Sequence, residues 1–478
     1  MKKGMKQWIF SILVLVLSFT LLAACGKEDK APGTNDDITD ALKPNDDQDD
    51  DLDVEDEPVD NEPVMDLGGM EIIIGDWWSP QEPAEPANAY QEATFEYRQM
   101  IQEKYNFTIK QVGITDWGGM EETFSTTTIA EEPAAQIFLL EPGWVAAPIA
   151  NGLVFDLGTL DSLDFTESKW INNVKDIMTF GDSVYGMNAG TPEPKLGVFF
   201  NTRLFQEAGL DPQLPYDLQA SGEWTWEEFE KICDKLTRDT NNDGIIDYYA
   251  MSSFSTDLFR GALTSNDARF IGKDADNKYY NAAIEPNFLE AAQWAVSLIE
   301  KDYEMPQPED ANWDYFIQAF IDAKAAMTFA EEYKTGNFKN MEDDFGFVML
   351  PKGPKGGNKY AVYFADNVAV IPSCYDKETA EKIAFAYNLW TEPTPGYEDE
   401  DTWKDSYSTK YRDERAIDET LAMMFDEAVE NNDYFKFVNG IDIGESFLWS
   451  VYALNNTPAE KIEELSGTWK SLIEDANK

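Results

Sequence analysis

Histidine is absent from the 478 residues. That absence removes Ser-His and Cys-His nucleophilic pairs, His-dependent zinc sites and any histidine proton shuttle. Cations are scarce as well: 37 Lys plus Arg face 91 Asp plus Glu, a formal net charge of −54. A surface that acidic repels phosphate, so it disfavours nucleic acid and anionic lipid headgroups, and no nucleic-acid partner is expected. Cysteine is limited to three residues, too few for a disulfide-built scaffold. What is present describes a folded protein: 43% hydrophobic and 13% aromatic residues, enough to line a site as well as a core. The length suggests two or three compact units.

Lys2, Lys3 and Lys6 precede an apolar run from Trp8 to Leu22, short for a membrane span and of the length of a secretory leader. It ends in Leu22-Ala23-Ala24-Cys25, which resembles the lipobox of bacterial lipoproteins. The expectation is a signal peptide over 1–24, a mature chain from a lipidated Cys25 carrying a palmitate-type acyl anchor, and a place outside the cytoplasm on the cell membrane. An ordinary signal peptide or a single anchoring helix, with a chance cysteine, is the alternative. Residues 25–66 are rich in Asp, Glu, Asn and Pro, cannot bury a core, and read as a disordered acidic tether. Cys233 and Cys374 read as small buried hydrophobes, with a mutual disulfide as the alternative.

From Met70 onward short apolar strands alternate with amphipathic helices, the pattern of an α/β protein with largely parallel sheets. Strands are expected at 70–74, 107–112 and 135–140, with helices at 87–105 and 120–129 between them, a βαβαβ unit. The first strand runs into Asp76-Trp77-Trp78 and the third into Glu141-Pro142-Gly143-Trp144. In open α/β sheets ligands sit beyond the carboxyl ends of strands. A second register follows, with strands at 196–200, 325–330, 345–350 and 360–371, helices at 202–208, 286–301 and 312–324, and a helix capped by Thr225 with Glu228 three residues on. Lys352 to Gly357 lacks phosphate-loop spacing and reads as a hairpin-like surface loop.

Two groups of residues point to chemistry. Asp239, Asn241, Asp243 and Asp247 occupy the first, third, fifth and ninth positions of an EF-hand-like loop, with Gly244 at the sixth and Ile245 at the seventh, backbone-carbonyl position. The twelfth, normally Glu, is Ala250, so a structural calcium ion of modest affinity is expected, and an Asx-rich turn without metal is the alternative. No organic cofactor is indicated. Aromatic residues form the second group: Trp77, Trp78 and Trp144 after strand ends, Tyr333 after the 325–330 strand and Trp449 on a late helix. Sugar rings stack on such side chains while flanking Asp, Glu and Asn bond the hydroxyls; core packing is the competing account.

The stretch Gly197-Val198-Phe199-Phe200-Asn201-Thr202-Arg203-Leu204-Phe205, then Glu207-Ala208-Gly209-Leu210-Asp211, then Trp224-Thr225-Trp226-Glu227-Glu228-Phe229 resembles the central signature of extracellular solute-binding proteins of ABC importers, in the maltose-binding-protein-like, carbohydrate branch. Segments at 150–157, 184–187, 320–327, 345–354 and 457–462 fall in the family's order. The resemblance implies two α/β lobes joined by crossing segments, with ligand in the cleft and closure by hinge motion. It places a first lobe at 67–190 plus about 365–395 and a second at about 191–364 plus 396–478. Ligand contacts would come from Asp76, Trp77, Trp78 and Trp144 in the first lobe, from Asn188, Asp366 and Asn367 at the crossings, and from Glu331, Tyr333 and Trp449 in the second. Glu331-Glu332 departs from the small Gly-containing turn common there.

The function so implied is capture of a sugar or oligosaccharide, without chemistry, by a lipid-anchored monomer that delivers it to ABC importer permease subunits. The membrane is a partner only through the anchor. A surface glycoside hydrolase or lyase using Asp and Glu pairs, or a sensor or adhesion component on the same fold, are the competing readings; no hydrolase signature is present.

Overall fold

The computed structural model describes residues 65–79, 85–86, 88–194, 196–363, 366–398 and 402–478. The expected leader, the lipidated Cys25 and nearly all of the acidic tether lie outside the described residues. Those described fall within one unit, Pro63–Lys478.

Met70–Asp76 forms strand β1, and Ala89–Tyr105 the helix α1. Asn88 caps this helix by accepting from the Gln91 amide, and Asn106 ends it in the left-handed region at φ 55°, which Asn tolerates better than most residues. Phe107–Gly113 (β2) then pairs parallel with β1 from Met70↔Phe107 to Asp76↔Gly113. Met120–Ile129 (α2) leads to Ile137–Leu140 (β3), also parallel to β1. The expected βαβαβ unit is therefore present.

The second register contains Gly197–Asn201 (β4), Trp226–Leu236 (α3), Tyr249–Met251 (β5), Ser255–Ser265 (α4), Pro286–Glu300 (α5), Ala325–Ala330 (β6) and Phe345–Val348 (β7). Thr225 caps α3, its hydroxyl accepting from the Glu228 amide. Val368–Val370 (β8) and Lys377–Trp390 (α6) follow, and Pro458–Ala476 (α7) opens on a reciprocal Thr457–Glu460 capping box.

Two four-stranded sheets result, ordered β8-β3-β1-β2 and β7-β4-β6-β5. One face of the first packs Ile72, Ile74, Ile109 and Ile137 against Ile383 and Tyr387 of α6. Its other face carries Phe138, Leu140, Val368 and Val370 with Phe124 of α2. The second sheet has a larger core, in which Phe199, Phe200, Phe329 and Phe347 meet Phe229 of α3 and Phe259 of α4. These are the two lobes.

Three expectations need correction. The second sheet is not largely parallel, because β4 runs antiparallel to both of its neighbours, β6 and β7. The expected strand over 360–371 is two pieces: Ala361–Val362 pairs with Val429–Glu430, whereas Val368–Val370 joins the first sheet against β3. Both departures arise where the chain passes from one lobe to the other, which strand propensity does not register. Cys374 is only half-buried, in contrast to fully buried Cys233, and both thiols are free. The Lys352 to Gly357 loop does connect strands, and it is pinned at Gly356, where a Cβ would lie 2.1 Å from the Ser265 carbonyl oxygen.

Candidate ligand-binding site

The site begins where β1 ends. Asp76 has no exposed surface. Its Oδ1 accepts from the amides of Trp78 (3.1 Å) and Ser79 (2.9 Å), and its Oδ2 from Gln111 Nε2 (2.7 Å) and the Ser79 hydroxyl. With four donors satisfied internally, this carboxylate positions the turn that presents Trp78, which is 49% exposed. Trp77 meets Trp78 edge-on at 4.6 Å and Trp144 at 5.3 Å, and Trp144 meets Trp117 at 5.3 Å. Trp117, which the sequence did not single out, donates from Nε1 to Glu141 (2.9 Å), and Glu141 is ion-paired with Lys436.

The crossing segments lie against each other beside this edge. Met187 and Ala369 exchange amide hydrogen bonds of 3.0 and 2.7 Å. Asn188 donates from Nδ2 to the Asn367 carbonyl (2.8 Å), and the Glu193 amide donates to Asp366 Oδ1 (2.7 Å). A third passage leaves α6 at Thr391, and just beyond it the hydroxyls of Thr94 and Thr394 lie 2.7 Å apart.

Between these segments is a cavity of about 710 Å³. Its floor is Ile74, Gln111, Leu139 and Trp78, at the carboxyl ends of β1, β2 and β3. Asn188, Glu193, Asp366 and Asn367 line it from the crossings. Tyr90, Tyr97 and Arg98 of α1, Tyr387 and Trp390 of α6, and Trp403 and Tyr407 beyond the third crossing complete the wall. That size and mixture suits a small organic ligand, with flat apolar faces and a few polar groups to orient it. Four of the residues expected at a ligand site, Trp78, Asn188, Asp366 and Asn367, are brought together here; Asp76 supports them from beneath.

The other candidates lie outside the cavity lining. Trp77 and Trp144 are half-buried in the indole cluster, and Trp449 is 50% exposed, stacked close to Gly444. Glu331 and Tyr333 follow β6. Burial first, then the carboxylates of Glu331, Asp257 and Glu193, push the Tyr333 phenol well above its ordinary value. Tyr407, which lines the cavity, is likewise raised, by burial first and then by Glu332, Glu193 and Asp366. Glu332 turns the opposite way, 1% exposed, accepting from Tyr411 and Lys410, both at 3.2 Å. Missed by sequence reading were the α1 and α6 contributors and Trp403. For all but Arg98 the only local signal is aromatic content, which core residues share.

In the Asp239–Asp247 loop, Asp239 accepts from the amides of Asn242, Asp243 and Gly244, Asn241 from that of Asp243, and Asp243 from that of Ile245. Hydrogen bonds from Thr240 hold the Asp247 carboxyl below its ordinary value. Among the described residues no three carboxylate, thiol or imidazole groups are placed to hold a metal ion, and Ala250 at the twelfth position is buried. These bonds close the turn by themselves.

Among the described residues no helix is long and apolar enough to cross a membrane. Comparison with known proteins bears on the whole arrangement. No curated protein sequence matches the chain. The GacH receptor of Streptomyces glaucescens, solved unliganded and with acarbose, superposes with a TM-score of 0.58 at 16% identity over 85% of this chain and 99% of that one. The cyclic alpha-maltosyl-1,6-maltose binding protein of Arthrobacter globiformis gives 0.62 at 15% identity, covering 85% and 100%. UgpB of Mycobacterium tuberculosis, in complex with glycerophosphocholine, gives 0.61 at 15% identity, covering 85% and 98%. These likenesses establish the two-lobed fold. The model of the family described as bacterial extracellular solute-binding protein matches residues 79–387. With two sheets, paired crossings and a cavity at their junction, the chain belongs to the bacterial extracellular solute-binding proteins.

Proposed function

We propose that this protein captures a sugar or oligosaccharide in the cavity at the crossings and delivers it to the permease subunits of an ABC importer. It works as a monomer held outside the cytoplasm by a lipidated Cys25, and performs no chemistry on its ligand. One observation carries the reading: exposed Trp78, held by the buried Asp76 turn, shares one cavity with Trp390, Trp403 and the polar groups of two crossing segments. Aromatic faces supply stacking area, and Asn188, Glu193, Asp366 and Asn367 supply orientation. Solved relatives of the same fold are a cyclic alpha-maltosyl-1,6-maltose binding protein and a receptor in complex with acarbose. Because the wall residues belong to both lobes, a ligand that touches both stabilises the closed arrangement by its differential contacts.

The test is a thermal-shift and calorimetric screen of the soluble fragment against mono- and oligosaccharides, with reducing ends assayed in parallel. Binding without new reducing ends is expected. New ends would replace this reading with that of a hydrolase, and no response to any carbohydrate would overturn it. The Asp239–Asp247 loop is also proposed as a weak calcium site on its ligand spacing alone.

A further inference from the structure

The cavity contains an arginine that the capture of a neutral sugar does not use. Arg98 lies on α1 in the cavity wall, its guanidinium 3.8 Å from the centroid of the Trp390 ring. Its Nε is buried without a hydrogen-bond partner, and among the described residues the guanidinium has no ion pair. In a chain with 91 acidic residues against 37 basic ones, an arginine free of any carboxylate is an anomaly. The titratable groups facing it are the phenols of Tyr90, Tyr387 and Tyr97, neutral at ordinary pH, and burial lowers its pKa; a guanidinium nonetheless stays charged at neutral pH.

The other cation lining the cavity shows the contrast. Lys169 is ion-paired with Glu167 at 3.3 Å and with Glu392, and donates to the Asn388 carbonyl at 3.1 Å. The nearby carboxylates are also engaged: Glu392 with Lys169, Glu398 with the Gly396 amide, and Asp366 with the Glu193 amide. None is directed at Arg98. A guanidinium presents a planar fork of donors that matches a carboxylate or phosphate, and stacking on an indole fixes the plane of that fork before any ligand arrives.

We propose that Arg98 is a specificity-determining residue and that the captured carbohydrate carries an oxyanion, a carboxylate or a phosphate ester, which its guanidinium meets at the α1 end of the cavity. The inference rests on the cavity being a carbohydrate site and adds the charge of its occupant. Trp78 and Trp403, which line the same cavity, offer aromatic faces on which the neutral part of the ligand stacks. The net charge of the protein opposes this ligand at long range, whereas the stacked, partly desolvated arginine attracts it at contact. Added salt therefore speeds association, the reverse of an electrostatically steered encounter.

Matched probes test this directly. Uronic-acid oligosaccharides and their methyl esters share backbone and shape and differ in charge; sugar phosphates and inorganic phosphate form the second arm. Calorimetry should show one anionic class bound at least about tenfold more tightly than its neutral counterpart. Arg98→Gln should bring the anion down to the affinity of the neutral probe, and Arg98→Lys should restore part of the difference. Melting temperature without ligand, measured for every variant, separates a lost anion contact from a lost Trp390 stack. Preference for uronates assigns a carboxylate and preference for sugar phosphates a phosphate ester, while inorganic phosphate alone identifies a free-anion site and overturns the carbohydrate part. Equal binding of charged and neutral probes, or Arg98→Gln that melts early yet keeps the anion preference, overturns the role of Arg98. Failure of every carbohydrate, charged or neutral, would instead remove the capture reading beneath it.

Discussion

Among the described residues each four-stranded sheet has one strand antiparallel to the rest, and the two sheets place it differently. In the first sheet it is β8, at the edge beside β3; in the second it is β4, between β7 and β6. Both strands are entered directly from a crossing. Because β1 to β3, and likewise β5 to β7, end at the edge where the crossings lie, a chain arriving from the other lobe must enter at that edge. It therefore runs opposite to the strands already there. The residues before these two strands, Asp366 and Asn367 in one case and Glu193 in the other, consequently line the cavity. The rule that ligands sit beyond strand carboxyl ends locates Trp78 but misses Glu193, which precedes its strand. An all-buried interior strand such as Gly197–Asn201 cannot report its direction through its own composition.

The lobes also differ in how they satisfy a buried carboxylate. Asp76 in the first receives four donors. Glu304 in the second uses one oxygen for the Ser253 amide (2.7 Å) and the Tyr452 hydroxyl (3.3 Å), while its Oε2 has no partner. Burial pushes its pKa up to about 8, with those two hydrogen bonds opposing.

Core truncations should give the largest effects. Trp224→Ala in the second lobe removes a fully buried indole and leaves the Met349 carbonyl, its 2.7 Å acceptor, without a donor. Phe138→Ala in the first removes only packing. Both should cost roughly 3–5 kcal/mol in urea unfolding, Trp224 at the upper end. The reverse order would show that the smaller core of the first lobe is the less tolerant one.

Next comes the contrast of the two carboxylates. Glu304 is raised from 4.5 to about 8, so the folded state holds a proton that the unfolded chain releases. Its contribution is fully present below pH 4.5 and is lost as pH rises through about 8, on the order of a few kcal/mol. Melting temperature should fall over that window, and Glu304→Gln, which keeps the neutral form, should flatten the fall. An unchanged slope in the variant would place the pH dependence elsewhere.

Ligand affinity should respond more modestly. Trp78→Ala in the first lobe and Trp403→Ala beyond the third crossing should each lose about tenfold in affinity, about 1.4 kcal/mol, with near-native melting for exposed Trp78. Trp144→Ala and Tyr333→Ala sharpen the comparison. If Trp144→Ala melts early and binds normally, the indole cluster is packing in the first lobe, whereas affinity lost at native melting makes it part of the ligand surface. The smallest effect is expected from calcium, which should raise the melting temperature slightly in the wild type and not in Asp243→Ala; identical melting in calcium and chelator would remove the metal.

Local signals made much of the framework legible. The apolar Ile72 to Ile74 run, Thr225 with Glu228, Thr457 with Glu460, and Gly or Asn at helix ends act over a few residues, so strand and helix order follows from them. The absence of His and the excess of carboxylates set limits on chemistry that no folding could reverse, and the order of family motifs indicated the two lobes. Only the tertiary structure decided which aromatics share a cavity and which merely pack. Arg98, Glu193, Trp390 and Trp403 are separated by between 13 and 305 positions in the chain, and each looks locally like an ordinary core or surface residue. Their meeting depends on where three crossings join two sheets, a consequence of long-range packing that no spacing within one segment encodes.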